Sequence, residues 1–350
     1  MNNYHLISLL LFTSSLIYSQ DNFVKEKHIS DYRNWENIEY KNDLPALVIA
    51  LTKDSKNEIE KANAIFRWIT NNINYDYKLF NKNKRIIEFN CKNKADCEQK
   101  LINWKNKNIQ KILCKKKAIC SGYSDLFKKM CDISGIDCIV IDGYIKNNVS
   151  QIGRMGILDH SWNAIIVDNE YYYLDVTWAA GYCTKKENGK LNSFVKRYND
   201  YYWLTPIDKL SRNHFPKDTL KLVNSKYSKK LFKQNPYIEN SILPFIEILS
   251  PNSGVISACV GDTIRFSFAY RGVIDKLQIN TNIQRNRKIW RIIDGKKNID
   301  QKAYDKQKYI AYNKQNDIYS FQYIIEKNSV RFIEILFDYK LALKYLVKVK

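Results

Sequence analysis

The sequence lacks the closely spaced ligand pairs that most protein metal sites use. None of its eight cysteines forms a Cys-x-x-Cys pair, and none of its four histidines forms a His-x-x-x-His pair. Pairs of this kind supply the ligands of most structural and catalytic zinc sites. We therefore expect no metal ion, and we expect no other cofactor.

Beyond its first twenty residues the sequence also lacks an apolar run long enough to span a bilayer. Residues 6–17 form an apolar stretch that is too short for a stable membrane anchor, and the small Ser19 stands before Gln20. The basic n-region is weak, but the pattern is typical of a secretory signal. We interpret residues 1–19 as a signal peptide and expect an exported chain, periplasmic or extracellular, with no transmembrane segment.

Acidic residues are few relative to basic ones. The chain has 57 Lys and Arg against 36 Asp and Glu, which gives a net charge of +21. A basic chain can bind nucleic acid, but here the lysines are scattered and no recognition module accompanies them. A solvated basic surface is the simpler interpretation, so we expect no nucleic-acid partner. A weak attraction to acidic polymers or anionic membranes stays open.

The cysteines are compatible with an oxidising compartment, where disulfides persist. Cys91 and Cys97 bracket a short polar loop and are the best local pair. Cys131 and Cys138 are a weaker pair, because the first falls in a predicted helix and the second in a predicted strand.

The hydrophobic pattern up to residue 235 predicts an α+β domain. Apolar residues recur at helical spacing over 59–69 and again from Ser121 to the Ser134-Gly135 pair. Residues 138–141 predict a buried strand, and 161–167 and 171–177 predict a hairpin that turns at 168–170. Residues 78–108 are rich in lysine and asparagine and predict a surface insert with little core. A helix followed by these strands indicates an antiparallel sheet with a helical layer.

After Pro236 the pattern changes to strand-like alternation in several segments up to the C-terminus. We predict a first domain over residues 20–235 and a small all-β accessory domain, an immunoglobulin-like sandwich, over residues 236–350. No internal repeat is visible.

Three residues in one stretch form the inventory of a thiol nucleophile, its base and the group that orients the base. Cys120 stands where a loop enters a helix, so its thiolate would face the positive end of the helix dipole and free backbone amides. His160 opens one strand of the hairpin, and Asp175 lies on the other. Each residue alone has an ordinary structural explanation, as a core cysteine, a core histidine or a solvent-exposed carboxylate.

The hairpin geometry allows the proposed triad, but it does not place Asp175 directly opposite His160. With the turn at 168–170, His160 would face residue 178, so Asp175 needs a diagonal or bulged relation to reach it. Trp162, Trp178 and Tyr123 are predicted to bind substrate beside the catalytic residues, with core packing an equal alternative for the two tryptophans. The backbone amide of Cys120 is the best candidate for an oxyanion-binding group.

Four ordered blocks carry a family resemblance. They are KANAIFRWITNNINYDY, AICSGYSDLFKKMCDISGI, HSWNAIIVDNEYYYLDVTW and YYWLTPIDKLSRNHFPKD. Together they resemble the transglutaminase-like superfamily, and the last block is most similar to the branch that contains kyphoscoliosis peptidase. The resemblance implies a papain-like fold with Cys120 as nucleophile, His160 as base and Asp175 as its partner.

The resemblance implies an enzyme that acts on amide bonds of proteins or peptides through a thioester. Water as acceptor gives a cysteine protease, peptidase or deamidase, and a lysine amine gives a crosslinking transglutaminase. We favour hydrolysis, because nothing in the sequence suggests the calcium sites of animal crosslinking enzymes. The alternative is a non-catalytic binding module at the cell surface. The β-domain is expected to contact a cell-wall or surface partner.

Overall fold

The computed structural model describes residues 35–82, 88–218, 228–293 and 296–350. The predicted signal peptide lies outside these residues. The described chain has a mixed α/β fold with several antiparallel sheets. Within these ranges, no helix combines the length and the apolar character needed to cross a bilayer.

Among the described residues, five α-helices precede the main sheet. They are α1 (Leu44–Thr52), α2 (Glu58–Asn72), α3 (Tyr77–Asn81), α4 (Lys94–Lys115) and α5 (Cys120–Ile133). The short strands β1 (Asn74–Tyr75) and β2 (Lys117–Ala118) pair in parallel between them.

Side-chain caps fix where four of these helices begin. Asp43, Asn57, Asp76 and Asn93 each accept a hydrogen bond from a backbone amide in the first turn of α1, α2, α3 and α4, respectively. Short polar side chains are well suited to this because the first amides of a helix have no partner within the helix. No side chain caps α5.

The main sheet of this part has four antiparallel strands in the order β5-β4-β3-β8. Their bounds are β3 (Cys138–Ile145), β4 (Leu158–Val167), β5 (Glu170–Leu174) and β8 (His214–Pro216). Asp168 and Asn169 both have positive φ angles, 52° and 63°, which suits the two-residue turn between β4 and β5. Helix α5 packs on β3 and β4, and its fully buried Leu126, Phe127 and Met130 form the core against them.

Smaller elements follow β5 in the chain. They are α6 (Val176–Ala180), the hairpin of β6 (Gly181–Lys185) and β7 (Leu191–Lys196), α7 (Ile207–Leu210) and α8 (Lys229–Gln234). The β6–β7 hairpin was absent from the sequence prediction.

The C-terminal part is built mainly from two sheets. One has the order β10-β12-β17-β16, and the other has the order β11-β19-β18-β13, with β9 also paired to β19. The strands are β9 (Tyr237–Ile238), β10 (Ile246–Ser250), β11 (Val255–Ala258), β12 (Thr263–Tyr270), β13 (Leu277–Thr281), β14 (Trp290–Ile293), β15 (Lys296–Ile299), β16 (Asn313–Gln315), β17 (Ile318–Ile324), β18 (Phe332–Phe337) and β19 (Lys340–Val349). Strands β14 and β15 form a separate pair, and the short helix α9 (Gln301–Tyr304) follows them.

Aromatic side chains join the two sheets. The ring of Phe266 lies 5.2 Å from that of Tyr345, and the ring of Phe268 lies 5.3 Å from that of Phe337. The first residue of each pair is on β12, and the second is on β19 or β18. The sheets therefore face one another across a shared core, as expected from the alternating pattern. The immunoglobulin-like arrangement and the domain bounds stay predictions.

One expectation about the first part is confirmed and one was wrong. None of the described residues within 78–108 is buried, as expected of a surface insert, although the insert contains most of the 22-residue helix α4, which buries Ile109, Ile112 and Leu113 only beyond it. The hairpin strand predicted over 171–177 ends at Leu174, because Asp175 caps the new helix α6 with its carboxylate. Cys91 and Cys97 form the expected disulfide, whereas Cys131 and Cys138 are free and buried.

Candidate active site

Cys120 is the first residue of α5, and the preceding segment is held in place by β1. The amide of Asp76 donates to the carbonyl of Ala118 over 2.8 Å, two residues before the cysteine. Because no side chain caps this helix, its first backbone amides are available to an incoming oxyanion. The cysteine is 8% exposed, so its sulfur lies at the edge of the buried core.

Gly122 allows the start of α5 to pack closely against its neighbours. A Cβ atom at this position would lie 2.8 Å from Cδ1 of Ile112 and 3.1 Å from Cβ of Ala118. The absence of a side chain therefore lets α4 approach the helix that carries Cys120.

The His160–Asp175 contact arises where the β4–β5 hairpin ends. The last paired residues are Asn163 and Leu174, so His160 has no partner on β5. The chain turns into α6 at Asp175, and this turn brings the carboxylate Oδ2 to 2.6 Å from Nε2 of His160. The helix cap thus supplies the diagonal relation that the hairpin register required.

Asp175 is fully buried and has partners on both of its oxygens. Oδ1 accepts the backbone amides of Thr177 and Trp178 over 2.8 and 3.0 Å. Oδ2 faces Nε2 of His160 and, at 3.1 Å, Nε2 of His214. Burial alone would raise the pKa of Asp175, but the charge of His160 and the hydrogen bonds from both histidines hold that pKa well below its usual range.

His160 is 5% exposed and is favoured as an imidazolium. Burial lowers its pKa, but the Asp175 carboxylate and the Cys120 sulfur more than offset this effect, and the pKa rises to about 10. Because Nε2 faces Asp175, the other ring nitrogen, Nδ1, is left for Cys120. The thiol of Cys120 also lies 3.6 Å from the carbonyl oxygen of Asp159. The three predicted catalytic residues are therefore together in a water-poor site.

His214 is the site residue that the sequence analysis missed. It lies on β8, which pairs with the end of β3, and its ring centroid is 5.4 Å from that of His160. The available signal was its position in the fourth block of the family resemblance, YYWLTPIDKLSRNHFPKD, together with the presence of only four histidines in the chain. Burial lowers the pKa of His214.

The predicted substrate-binding residues divide into two groups. Tyr123 is fully buried and donates its hydroxyl to the carbonyl of Ile73, and Trp162 is only 2% exposed. Substrate contact was therefore the wrong role for both, because the apolar face of α5 and the inner face of β4 turn them into the core. Trp178 is partly exposed and its ring lies 5.3 Å from the His160 ring, so it is the one of the three that a substrate beside His160 could contact.

Trp162 instead packs against the ring of His160 from the core. Its ring stacks on the His160 ring with centroids 6.0 Å apart, and it contacts the His214 ring at 5.0 Å. Gly143 on β3 makes room for it, since a Cβ there would lie 2.3 Å from Cη2 of Trp162.

The same cluster is the one place among the described residues where three side chains could hold a metal ion. Ligand atoms of His160, Asp175 and His214 all lie within 4.8 Å of one another. Each imidazole Nε2 is, however, within hydrogen-bond distance of the same carboxylate oxygen. Each ring can donate an Nε2–H to this oxygen, so the contacts are those expected of a hydrogen-bonded catalytic group.

Comparison with known proteins shows which sequences this chain resembles. Residues 42–187 match the family model of a transglutaminase-like domain. Kyphoscoliosis peptidase from Mus musculus is 26% identical over 224 residues, which cover 63% of this chain and 29% of that protein. Hillarin from Drosophila melanogaster is 26% identical over 204 residues, covering 55% of this chain and 22% of that protein.

A crystal structure of a TGase aligns with 55% of this chain and 43% of its own, at 16% identity and a TM-score of 0.28, which is too low to establish a shared fold. The chain spans less than a third of the length of the two curated relatives. By its sequence the chain resembles the transglutaminase-like family, and residues 42–187 carry that resemblance.

Proposed function

We propose that the protein is a cysteine enzyme that cleaves or transfers the acyl group of amide bonds in proteins or peptides. The observation that carries the proposal is the buried contact of His160 with Asp175 beside Cys120, at the uncapped start of a helix. A nucleophile, a base and an orienting carboxylate in this relation are the parts of a thiol acyl-transfer site. The resemblance to the transglutaminase-like family supports the same thiol acyl-transfer chemistry.

The steps follow from the positions of the atoms. His160 Nδ1 takes the thiol proton, and the Cys120 sulfur attacks the amide carbonyl carbon. The resulting oxyanion is stabilised by the backbone amide of Cys120 and the positive end of α5. The C–N bond then breaks, and the amine leaves with the proton from His160. Water attacks the thioester and releases the acid, which regenerates the thiol.

Hydrolysis is favoured over crosslinking, which makes the protein a peptidase or deamidase. The carboxyl-rich calcium sites expected of crosslinking enzymes were absent from the sequence pattern, and Trp178 beside His160 offers an apolar wall for a peptide chain. Kyphoscoliosis peptidase, named for peptidase activity, is a relative of the matched region.

Export to the periplasm or the exterior is part of the proposal. The Cys91–Cys97 disulfide supports it, because disulfides persist mainly in oxidising compartments. N-terminal sequencing of the secreted protein should begin at Gln20. Retention of residues 1–19 on the mature protein would contradict export through a cleaved signal.

The C-terminal sheets are proposed to form an immunoglobulin-like accessory domain that attaches the enzyme to a cell-wall or surface partner. The full-length protein should co-sediment with insoluble peptidoglycan or whole cell envelopes. Recovery of the protein only in the supernatant would count against this role and would leave the proposed catalysis unaffected.

The chemistry is tested with a complex mixture of proteins and peptidoglycan. The unchanged protein and Cys120→Ala are incubated with the mixture, and products are compared by mass spectrometry. Cys259→Ala, which removes an exposed thiol in the C-terminal part, is the matched control. New peptide termini indicate a peptidase, a mass gain of about 1 Da at glutamine or asparagine a deamidase, and linked peptides a crosslinking enzyme. Identical products with Cys120→Ala would refute catalysis by this site.

A further inference from the structure

The fold places a second histidine on the catalytic carboxylate. Strand β3 lies between β4 and β8, and it pairs His160 with Gly143 on one side and His214 with Ile145 on the other. Gly143 makes room for Trp162, whose ring contacts both imidazoles, and a Cβ there would also lie 2.4 Å from the carbonyl oxygen of Phe215. The two Nε2 atoms approach the same oxygen of Asp175, Oδ2.

His214 is 2% exposed, and the contacts of both of its ring nitrogens are defined. Nε2 lies 3.1 Å from Oδ2 of Asp175, and Nδ1 lies 2.7 Å from the side-chain oxygen Oδ1 of Asn213. The rings of Trp178 and Trp162 enclose it, with centroids 4.7 and 5.0 Å away. A ring held in this way cannot reach a substrate.

We propose that His214 is a positioning residue for the reaction: it donates Nε2–H to Oδ2 of Asp175 and so keeps the carboxylate ionised and aimed at His160. This inference rests on the proposed function. The reason is the burial of Asp175, which has no exposed surface and so no water to stabilise its charge. Two amides stabilise Oδ1, and the donor from His214 provides Oδ2 with a partner that does not itself take part in proton transfer to the substrate.

The surrounding groups define the protonation state that this role requires. The charged or titratable groups that contact His214 are Asp175, His160 and Tyr202, and burial lowers the pKa of His214, which favours the neutral ring. A neutral ring that donates from Nε2 must accept at Nδ1. Oδ1 of Asn213 faces Nδ1, so this state requires the Asn213 amide to turn by 180°, which exchanges its oxygen and nitrogen. Its nitrogen then donates to Nδ1, and its oxygen accepts from the Tyr202 hydroxyl, which lies 3.4 Å from the amide nitrogen before the turn.

The tautomer can be measured in the unchanged, full-length protein. Long-range ¹H–¹⁵N spectra of protein labelled at histidine distinguish a protonated Nε2 from a protonated Nδ1. The signals of His214 are identified as those missing from the spectrum of His214→Gln. At pH 7 we expect His214 to be neutral with its proton on Nε2. A proton on Nδ1 and none on Nε2 would overturn the proposal, and this result needs neither a substrate nor an active enzyme.

A pair of variants separates the hydrogen bond from packing. His214→Gln keeps a side-chain N–H donor, whereas His214→Met has similar volume and no donor. The readout is the rate at which iodoacetamide alkylates Cys120 between pH 5 and 9, with folding of each variant checked by near-ultraviolet circular dichroism and thermal unfolding.

We expect His214→Gln to react within about threefold of the unchanged protein with the same pH profile. His214→Met should react about tenfold more slowly at pH 6, with its profile shifted upward by about one pH unit, since one pKa unit corresponds to a tenfold change in an ionised fraction. A folded His214→Met with the unchanged profile, or a folded His214→Gln as slow as His214→Met, would overturn the proposal. If either variant fails to fold, the tautomer measurement decides.

The outcomes also separate this proposal from the proposed function. If Cys120 of the unchanged protein reacts no faster than an ordinary thiol, the acyl-transfer function fails, whereas the tautomer of His214 still tests its contact with Asp175. If Cys120 is reactive and both His214 variants leave it so, the function stands and the positioning role falls.

Discussion

Replacing Asp175 with asparagine should remove the electrostatic support of His160 with little change in side-chain volume. Two unit charges separated by the 2.6 Å between Nε2 and Oδ2 attract by about 6 kcal/mol at an effective dielectric constant of about 20. That energy corresponds to about four pKa units. It is large enough to offset burial and to account for a His160 pKa that rises to about 10.

Without this attraction, burial dominates and favours the neutral imidazole at pH 6. The Cys120 thiolate then loses its cationic partner. An ordinary thiol with a pKa of about 8.5 is only about 0.3% thiolate at pH 6, so alkylation of Cys120 in Asp175→Asn should slow by about 100-fold at this pH.

The assay is the rate of iodoacetamide incorporation at Cys120, followed by peptide mass spectrometry across pH 5–9. Asp132→Asn is the matched control, because Asp132 is on the same helix as Cys120 but pairs with Lys128 at the surface. The control should react like the unchanged protein. An Asp175→Asn protein that is folded and keeps the unchanged rate at pH 6 would refute the reasoning.

Three further predictions concern the packing at Gly143, the buried Lys146 and the absence of a required metal ion. Gly143→Ala should lower the free energy of unfolding by about 1–3 kcal/mol in urea denaturation, because its Cβ would overlap Trp162 and the backbone of β8; a stability equal to that of the unchanged protein would contradict the packing described. Burial lowers the pKa of Lys146 to about 7, so between pH 7 and 10.5 the unfolded chain binds more protons than the folded chain and this lysine contributes stability that rises with pH. The stability of Lys146→Met relative to the unchanged protein should therefore fall by a few kcal/mol from pH 7 to pH 10, and a pH-independent difference would show that the lysine titrates normally. Activity should survive excess EDTA, whereas a loss that added divalent cations restore would identify the His160, Asp175 and His214 cluster as a metal site.

The parts of the site that follow local rules could be predicted from the sequence. Cys120 was placed at the start of a helix and His160 in a strand, and both positions match the structure. The Cys91–Cys97 disulfide was predictable because only a short loop separates the two residues. In each case the determining interactions lie within a few residues along the chain.

The elements that the sequence analysis missed depend on contacts between distant segments. Helix α4 is polar over most of its length, and its three buried apolar residues lie near its C-terminus. It also contacts α5 through the ion pair of Lys105 with Asp125. Its stability also comes from the Asn93 cap and from the Lys100–Asp96 ion pair, which are weak signals in a lysine-rich sequence.

The roles of Asp175 and His214 needed the tertiary structure. Asp175 both caps α6 and contacts His160, so an aspartate followed by Val-Thr could have suggested a helix start instead of a continuing strand. His214 is 39 residues further along the chain and reaches Asp175 only because β8 pairs with β3. No local pattern could have predicted this pairing.

The most direct test of the central claim compares Cys120 with two exposed free cysteines of the same chain, Cys114 and Cys259. Iodoacetamide labelling at pH 6 is followed at all three positions in the native protein. If Cys120 forms a thiolate–imidazolium pair with His160, it reacts at least tenfold faster than Cys114 and Cys259, although it is the most buried of the three. If Cys120 reacts more slowly than the exposed cysteines, as burial alone would dictate, the protein is not a cysteine acyl-transfer enzyme of the kind proposed.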